Sequence, residues 1–128
     1  GDLDVVVNNF HDAVNVLRNN LEGPGKHWMK LRLIGDPRQH TNRDAIGAQI
    51  IVETSKGGRQ VRTVRGGSGF LSKEPNALHF GLGQADTVER AEIRWPGGKT
   101  QTISIASVNR QYDVTESSAE KTPQPTSR

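Results

Sequence analysis

The sequence predicts an all-β fold: an antiparallel β-sandwich or partly closed barrel of about seven short strands, with an N-terminal β-hairpin or arm. Three features predict it. Apolar and polar residues alternate along several short stretches, Gly- and Pro-rich turns separate those stretches, and a glycine-rich segment near the middle carries most of the phenylalanines. Five of the 14 glycines fall between 66 and 83, beside two of the 3 phenylalanines. In Gly66-Gly67-Ser68-Gly69-Phe70-Leu71-Ser72 and His79-Phe80-Gly81-Leu82-Gly83 they suggest a tight crossover that seats Phe70, Leu71, Phe80 and Leu82 in a core. A side chain at Gly81 is costly if φ is positive there.

Residues 1–22 form a first unit. Val5-Val6-Val7 favours a strand, Asn8-Asn9 punctuates it, and Ala13 to Leu17 reads as a second strand, with a helix from Asp12 to Leu17 as the competing reading. Gly23-Pro24-Gly25 continues neither strand nor helix, which makes 23–26 a linker.

The main β domain is expected over 27–115. Met29, Leu31 and Leu33 alternate with Trp28, Lys30 and Arg32 in a half-buried strand that ends at Gly35-Asp36-Pro37. A polar loop leads into a strand read from Ile46 to Thr54, Lys56-Gly57-Gly58 turns it, and Arg59 to Arg65 returns. Beyond the glycine segment, Ala91, Ile93 and Trp95 oppose Arg90, Glu92 and Arg94 on a strand that Pro96-Gly97-Gly98-Lys99 turns. Gln101, Ile103 and Ile105 mark its partner, and Gln111 to Thr115 supplies a last strand through Tyr112 and Val114. From Glu116 onward the chain is Ser, Thr, Pro and charge, so 116–128 reads as a disordered tail or linker.

Composition bounds the function. A chain of 128 residues is one domain with at most an appended piece, and its 32% hydrophobic content implies an economical core. Seventeen Lys+Arg against 14 Asp+Glu give a formal charge of +3, with no basic run or stacking platform, which makes nucleic acid an unlikely partner. The absence of cysteine removes disulfides, cysteine-bound metals and thiol catalysis. No apolar run is long enough for a membrane span or a signal peptide. The start at Gly1, without a methionine and in mid-motif, reads as a piece of something longer, with any export signal upstream.

Five motifs together resemble the ASPIC/UnbV domain: His27-Trp28-Met29-Lys30-Leu31-Arg32-Leu33, Asn42-Arg43-Asp44-Ala45-Ile46-Gly47-Ala48, Gly67-Ser68-Gly69-Phe70-Leu71-Ser72, His79-Phe80-Gly81-Leu82-Gly83 and Arg94-Trp95-Pro96-Gly97-Gly98. They occur in the family's order over roughly residues 26 to 115. Gly1-Asp2-Leu3-Asp4-Val5-Val6-Val7-Asn8-Asn9 is similar to the trailing half of the calcium-loop repeat of FG-GAP or VCBS β-propellers. The resemblance implies a secreted or cell-envelope exterior module that follows a propeller in the same polypeptide and has no accepted catalytic residues. It implies no cofactor for these residues and calcium for a longer chain. Asp2 and Asp4 are the candidate ligands, part of a loop too poor in carboxylates to hold the ion alone.

An enzyme needs a nucleophile or an acid–base pair. Gly66-Gly67-Ser68-Gly69-Phe70 misses the Gly-x-Ser-x-Gly elbow at its last position, and His11, His27, His40 and His79 lack metal-ligand spacing. His79 is expected in the core or a turn. The expected function is therefore a non-catalytic binding or interaction module accompanying the propeller. Trp28, Lys30 and Arg32, with Arg90 and Arg94, are the candidate binding residues for an acidic glycan or a protein; alternating cations that merely keep a strand face solvated are the other reading. Asn42, Arg43 and Asp44 are a candidate loop site, or else turn caps serving the backbone. A structural cap of the propeller without a ligand, and an enzyme of unknown reaction, are the alternative functions.

Overall fold

The computed structural model describes residues 3–20, 24–67, 69, 75–117 and 124–125. Asp2, Ser68 and residues 70–74, which include part of the expected glycine crossover with Phe70 and Leu71, lie outside the described residues. Strands β1 (Val5–Val7) and β2 (Asn15–Leu17) pair antiparallel as the N-terminal hairpin, with Val6 opposite Val16. The competing helix fails because the Asn9 side-chain amide donates to the Ala13 carbonyl at 2.7 Å, closing a turn ahead of the β-branched Val14 and Val16.

The remaining strands are β3 (His27–Ile34), β4 (Gln49–Thr54), β5 (Arg59–Thr63), β6 (Ala77–Gly83), β7 (Val88–Arg94), β8 (Thr100–Ile103), β9 (Arg110–Thr115) and β10 (Gln124–Pro125). They form two four-stranded sheets, ordered β10-β9-β3-β6 and β5-β4-β7-β8. The sheets pack as a sandwich, with no closed barrel among the described residues. Met29, Leu31 and Leu33 of β3 and Phe80 of β6 meet Ile50 and Val52 of β4 and Ala91 and Ile93 of β7 in one buried cluster. The alternation read from the sequence thus selects the inner faces in both sheets.

One pair departs from the antiparallel expectation: β9 runs parallel to β3, with Met29 opposite Arg110 and Leu33 opposite Val114. The chain leaves β8 in one sheet and enters β9 in the other through 104–109, which brings β9 in from the end where β3 starts. Tyr112 anchors that crossing. Its hydroxyl donates to the Ser107 carbonyl at 2.6 Å and accepts from the Ser107 N–H at 3.1 Å, like the tyrosine corner of Greek-key sandwiches.

The strand expected from Ile46 begins only at Gln49. Asn42 turns the chain instead, donating from Nδ2 to the Ile46 carbonyl and accepting from the Ile46 N–H, both at 2.8 Å. Ala45 with φ 52° and Gly47 with φ 95° complete the loop. Gly81, expected at a corner, lies in β6 without positive φ and has open space where a Cβ would stand; Gly83, with φ 58°, carries the turn.

Close approach occurs elsewhere. A Cβ on Gly97 would overlap the Gln39 carbonyl oxygen, and one on Gly35 would overlap the Asn42 carbonyl oxygen. The 3-10 helix η1 (Pro37–Gln39) sits at this junction, capped by Asp36, whose Oδ1 accepts from the Arg38 N–H at 3.0 Å. That bond first, and the Gln39 side chain second, hold the Asp36 carboxyl below its ordinary 3.8. A lowered carboxyl contributes stability that is fully present above its ordinary pKa and is lost as pH falls below that and through the lowered value, so this cap weakens in acid.

Glu116 closes the junction. Placed by the sequence at the start of a tail, it is only 4% exposed. Its Oε2 accepts from the Asp36 N–H at 2.9 Å, its Oε1 accepts from the Thr41 hydroxyl at 3.0 Å, and its N–H donates to the Ile34 carbonyl at 2.8 Å. The folded unit therefore extends past 115, and β10 pairs Gln124 with Asp113; residues 118–123 and 126–128 lie outside the described residues.

The junction generates a paired test by urea denaturation. Gly97→Ala, whose new methyl meets main chain, is expected to lose about 2–3 kcal/mol. Gly81→Ala is expected to keep wild-type stability or gain up to about 1 kcal/mol. Equal losses at the two positions would return the tight contact to the glycine segment.

Candidate functional site

Because Met29, Leu31 and Leu33 face the core, Trp28, Lys30 and Arg32 stand on the outer face of the first sheet. Register fixes their neighbours. Trp28 lies opposite Gly81, Lys30 lies between His79 and Gln111, and Arg32 lies between Ala77 and Asp113. Gly81 leaves room beside the indole, which is half-buried and stacks on the His79 imidazole with centroids 5.9 Å apart and planes 13° apart. The Lys30 Nζ sits 5.4 Å from the Trp28 ring centroid, and an Arg32 Nη1 lies 3.7 Å from Asp113 Oδ2. His79 thus belongs to this outer surface and not to the core, since its neighbour Phe80 takes the inward position.

A groove of ≈ 940 Å³ opens beside this row, bordered by Lys30, Arg32, Arg62, Asn76, His79 and Gln111. Arg62 arrives from the other sheet. It occupies an inward-facing position, opposite Ile50, on the edge strand β5. With no further strand beyond it among the described residues, its side chain wraps across the sandwich edge and sets its guanidinium 6.0 Å from the Phe80 ring centroid. Beside it the Gln60 amide donates to the Gly81 carbonyl at 2.5 Å, closing that edge of β6.

Arg90 and Arg94 are elsewhere. Ala91 and Ile93 point into the core from β7, which puts both arginines on the outer face of the second sheet, away from Trp28. There Glu92, 9% exposed, holds both: Arg90 Nη2 lies 2.5 Å from one carboxylate oxygen and Arg94 Nε 3.0 Å from the other. The structure brings three of the five candidate binding residues together and separates two. Arg62, Asn76 and Gln111 are not among the residues the sequence singles out, and His79 is expected there in the core or a turn; the period-two pattern around Phe80 signals its outward position, but nothing local signals Arg62.

In the loop, Asn42 serves the backbone through its reciprocal bonds with Ile46, and Arg43 gives its carbonyl to the Gly35 N–H at 3.0 Å. The Arg43 and Asp44 side chains are exposed. Of the candidate calcium ligands, Asp4 spends Oδ1 on the Asn19 N–H at 2.8 Å, and Asp2 is outside the described residues. No group of three or more His, Cys, Asp or Glu that suits a metal forms among the described residues.

The chain matches the family described as "ASPIC and UnbV" over residues 38–121, a span that begins after β3 and ends beyond Glu116. Cartilage acidic protein 1 of Mus musculus is 34% identical over 110 residues, covering 84% of this chain and 16% of that protein. The Homo sapiens protein gives the same figures. That of Xenopus tropicalis is 33% identical over 118 residues, 89% of this chain and 18% of its own. The chain thus spans less than a fifth of the length of these curated relatives.

The two tryptophans give a direct check on the face. Trp95 is 3% exposed and donates its indole N–H to Gln101, whereas Trp28 is half-buried at the surface. Acrylamide should quench one of two emission components, and Trp28→Phe should remove the quenchable one. Quenching that survives this change would place Trp28 in the interior.

Proposed function

Since the chain belongs to the ASPIC and UnbV family, we propose that it is a non-catalytic extracellular interaction module whose binding face is the outer surface of β3, β6 and β9. The observation that carries this reading is the row Trp28, Lys30 and Arg32, with the indole stacked on His79 and a groove alongside. An aromatic–cation row on a rigid sheet suits an acidic glycan or an acidic protein surface, because the ring supplies contact area at low entropic cost and the cations supply charge selectivity. The relatives' name, cartilage acidic protein 1, fits an extracellular setting for those proteins, and similarity extends the setting to this chain.

The hairpin belongs to the same reading. Leu3, Val5, Val6, Val7, Val14, Val16 and Leu17 are each at least 40% exposed, and an isolated two-stranded hairpin is marginal in water. We assign β1 and β2 to an adjoining propeller-type unit, which the 1–9 segment resembles, and any calcium to the loop of that longer chain. In the capping alternative this docking is the domain's whole task.

Two experiments separate these readings. The first measures retention on immobilised acidic glycans and acidic matrix proteins for the wild type, for Trp28→Ala/Lys30→Glu and for Arg90→Ala/Arg94→Ala. Only the β3 double variant should lose retention, by tenfold or more on the order of one charged contact. Equal loss from the β7 variant, or no retention by the wild type, would leave the capping reading. Calorimetry with micromolar Ca²⁺ is the second: this chain should show no specific binding, since Asp4 is half committed to Asn19 and a hard cation needs about 6 to 8 oxygens. Tight binding abolished by Asp2→Asn/Asp4→Asn would overturn that assignment.

A further inference from the structure

We propose that the groove between the outer face of β3 and the edge of β5 is an acidic-glycan site in which Lys30, Arg32 and Arg62 take the anionic groups. This rests on the binding-face reading above and specifies its ligand. Three cations, Lys30, Arg32 and Arg62, line the groove with no carboxylate among its described lining residues; Asp113 stands behind Arg32 at 3.7 Å. The local surplus is large for a chain whose total formal charge is +3. Cations drawn from both sheets approach one cleft from two sides, which is the arrangement that concentrates an anionic ligand.

The shape of the site favours a saccharide over a peptide. A peptide adding to a sheet needs a free edge, and on β6 the Gly81 carbonyl is already taken by the Gln60 amide. A peptide docking by side chains needs a deep apolar pocket, whereas the apolar lining here is Leu3, Pro75, Ala77 and Leu78 interleaved with six polar or charged residues, and Leu78 packs on the core. What the groove offers beyond charge is the Asn76 and Gln111 amides, donor–acceptor groups suited to ring hydroxyls, and the His79–Trp28 stack at one end for a sugar face. Arg62 does more here than guard an edge: its guanidinium lies over the Phe80 ring and the residue lines the groove.

The test titrates the intact chain with a heparin hexasaccharide, which carries sulfates, with a hyaluronan hexasaccharide, which carries carboxylates alone, and with a polyglutamate peptide of matched charge. Amide shifts on the ¹⁵N-labelled wild type locate the contact and calorimetry gives affinity. At least one saccharide should bind, moving the resonances of Lys30, Ala77, His79 and Gln111, with affinity falling as salt rises. Which one binds tells sulfate from carboxylate recognition. Arg62→Gln should weaken binding about tenfold and leave the Trp28 signal in place. Saccharide shifts confined to other surfaces, or full affinity in a folded Arg62→Gln, would overturn the site. Binding of polyglutamate alone on the same face would overturn the glycan assignment and preserve the binding-face reading; no binding by any probe, with no retention on the matrix panel, would remove both.

Discussion

A single buried carboxylate sets the geometry on which the outer face of β3 and β9 depends. Glu116 accepts from the Asp36 N–H and the Thr41 hydroxyl, and its own N–H returns to Ile34, so the ends of β3 and β9 and the loop between β3 and β4 meet at one residue. Charge-assisted bonds to a covered carboxylate are stronger than neutral ones, and the Thr41 hydroxyl left without it would be buried unsatisfied. Gly35 and Gly97 make the meeting possible, since each stands where a side chain would strike a carbonyl oxygen. The β3–β9 register is held from this end, and with it the order of Lys30, Gln111, Arg32 and Asp113 across the outer face.

The two outer faces show what neighbours do to charge. On β7 two arginines share Glu92 and are satisfied within their own sheet. On β3 a tryptophan takes the place of a partner for Lys30, and Arg32 meets Asp113 across the parallel pair at a longer distance. A guanidinium held by a nearly buried carboxylate has little left for a ligand, whereas an ammonium over a ring keeps most of its field. The stripes look alike in sequence and differ in what faces them.

Alternation made β3 and β7 legible, because each side chain's face follows from parity once one strand residue is buried. The β4–β5 and β7–β8 turns were legible for a similar local reason: glycines there take positive φ, as at Gly57 and Gly98. The rest depended on pairings that parity cannot supply. Nothing near Tyr112 says that its strand joins β3 in parallel, and a glutamate ahead of a Ser- and Pro-rich stretch looks like a tail until Thr41 and Asp36 come to it. Arg62 escaped notice because its role comes from β5 being an edge, a property of sheet order. The family match, reaching residue 121, is consistent with the domain continuing through Glu116.

The pairing of β3 with β9 has a consequence for how the chain is made. Trp28 and Asn109, which bond at the start of that pair, are 81 residues apart. While the chain emerges in order, β3 has β6 as a neighbour long before β9 exists, and its other edge is open through most of synthesis. The domain therefore closes late and all at once, when the Tyr112 corner and the Glu116 junction arrive together near the end of the folded unit. Such long-range closure folds slowly. In a chain that must cross a membrane before folding, late closure is an advantage: the ordered sheet does not exist until nearly all of its sequence has passed.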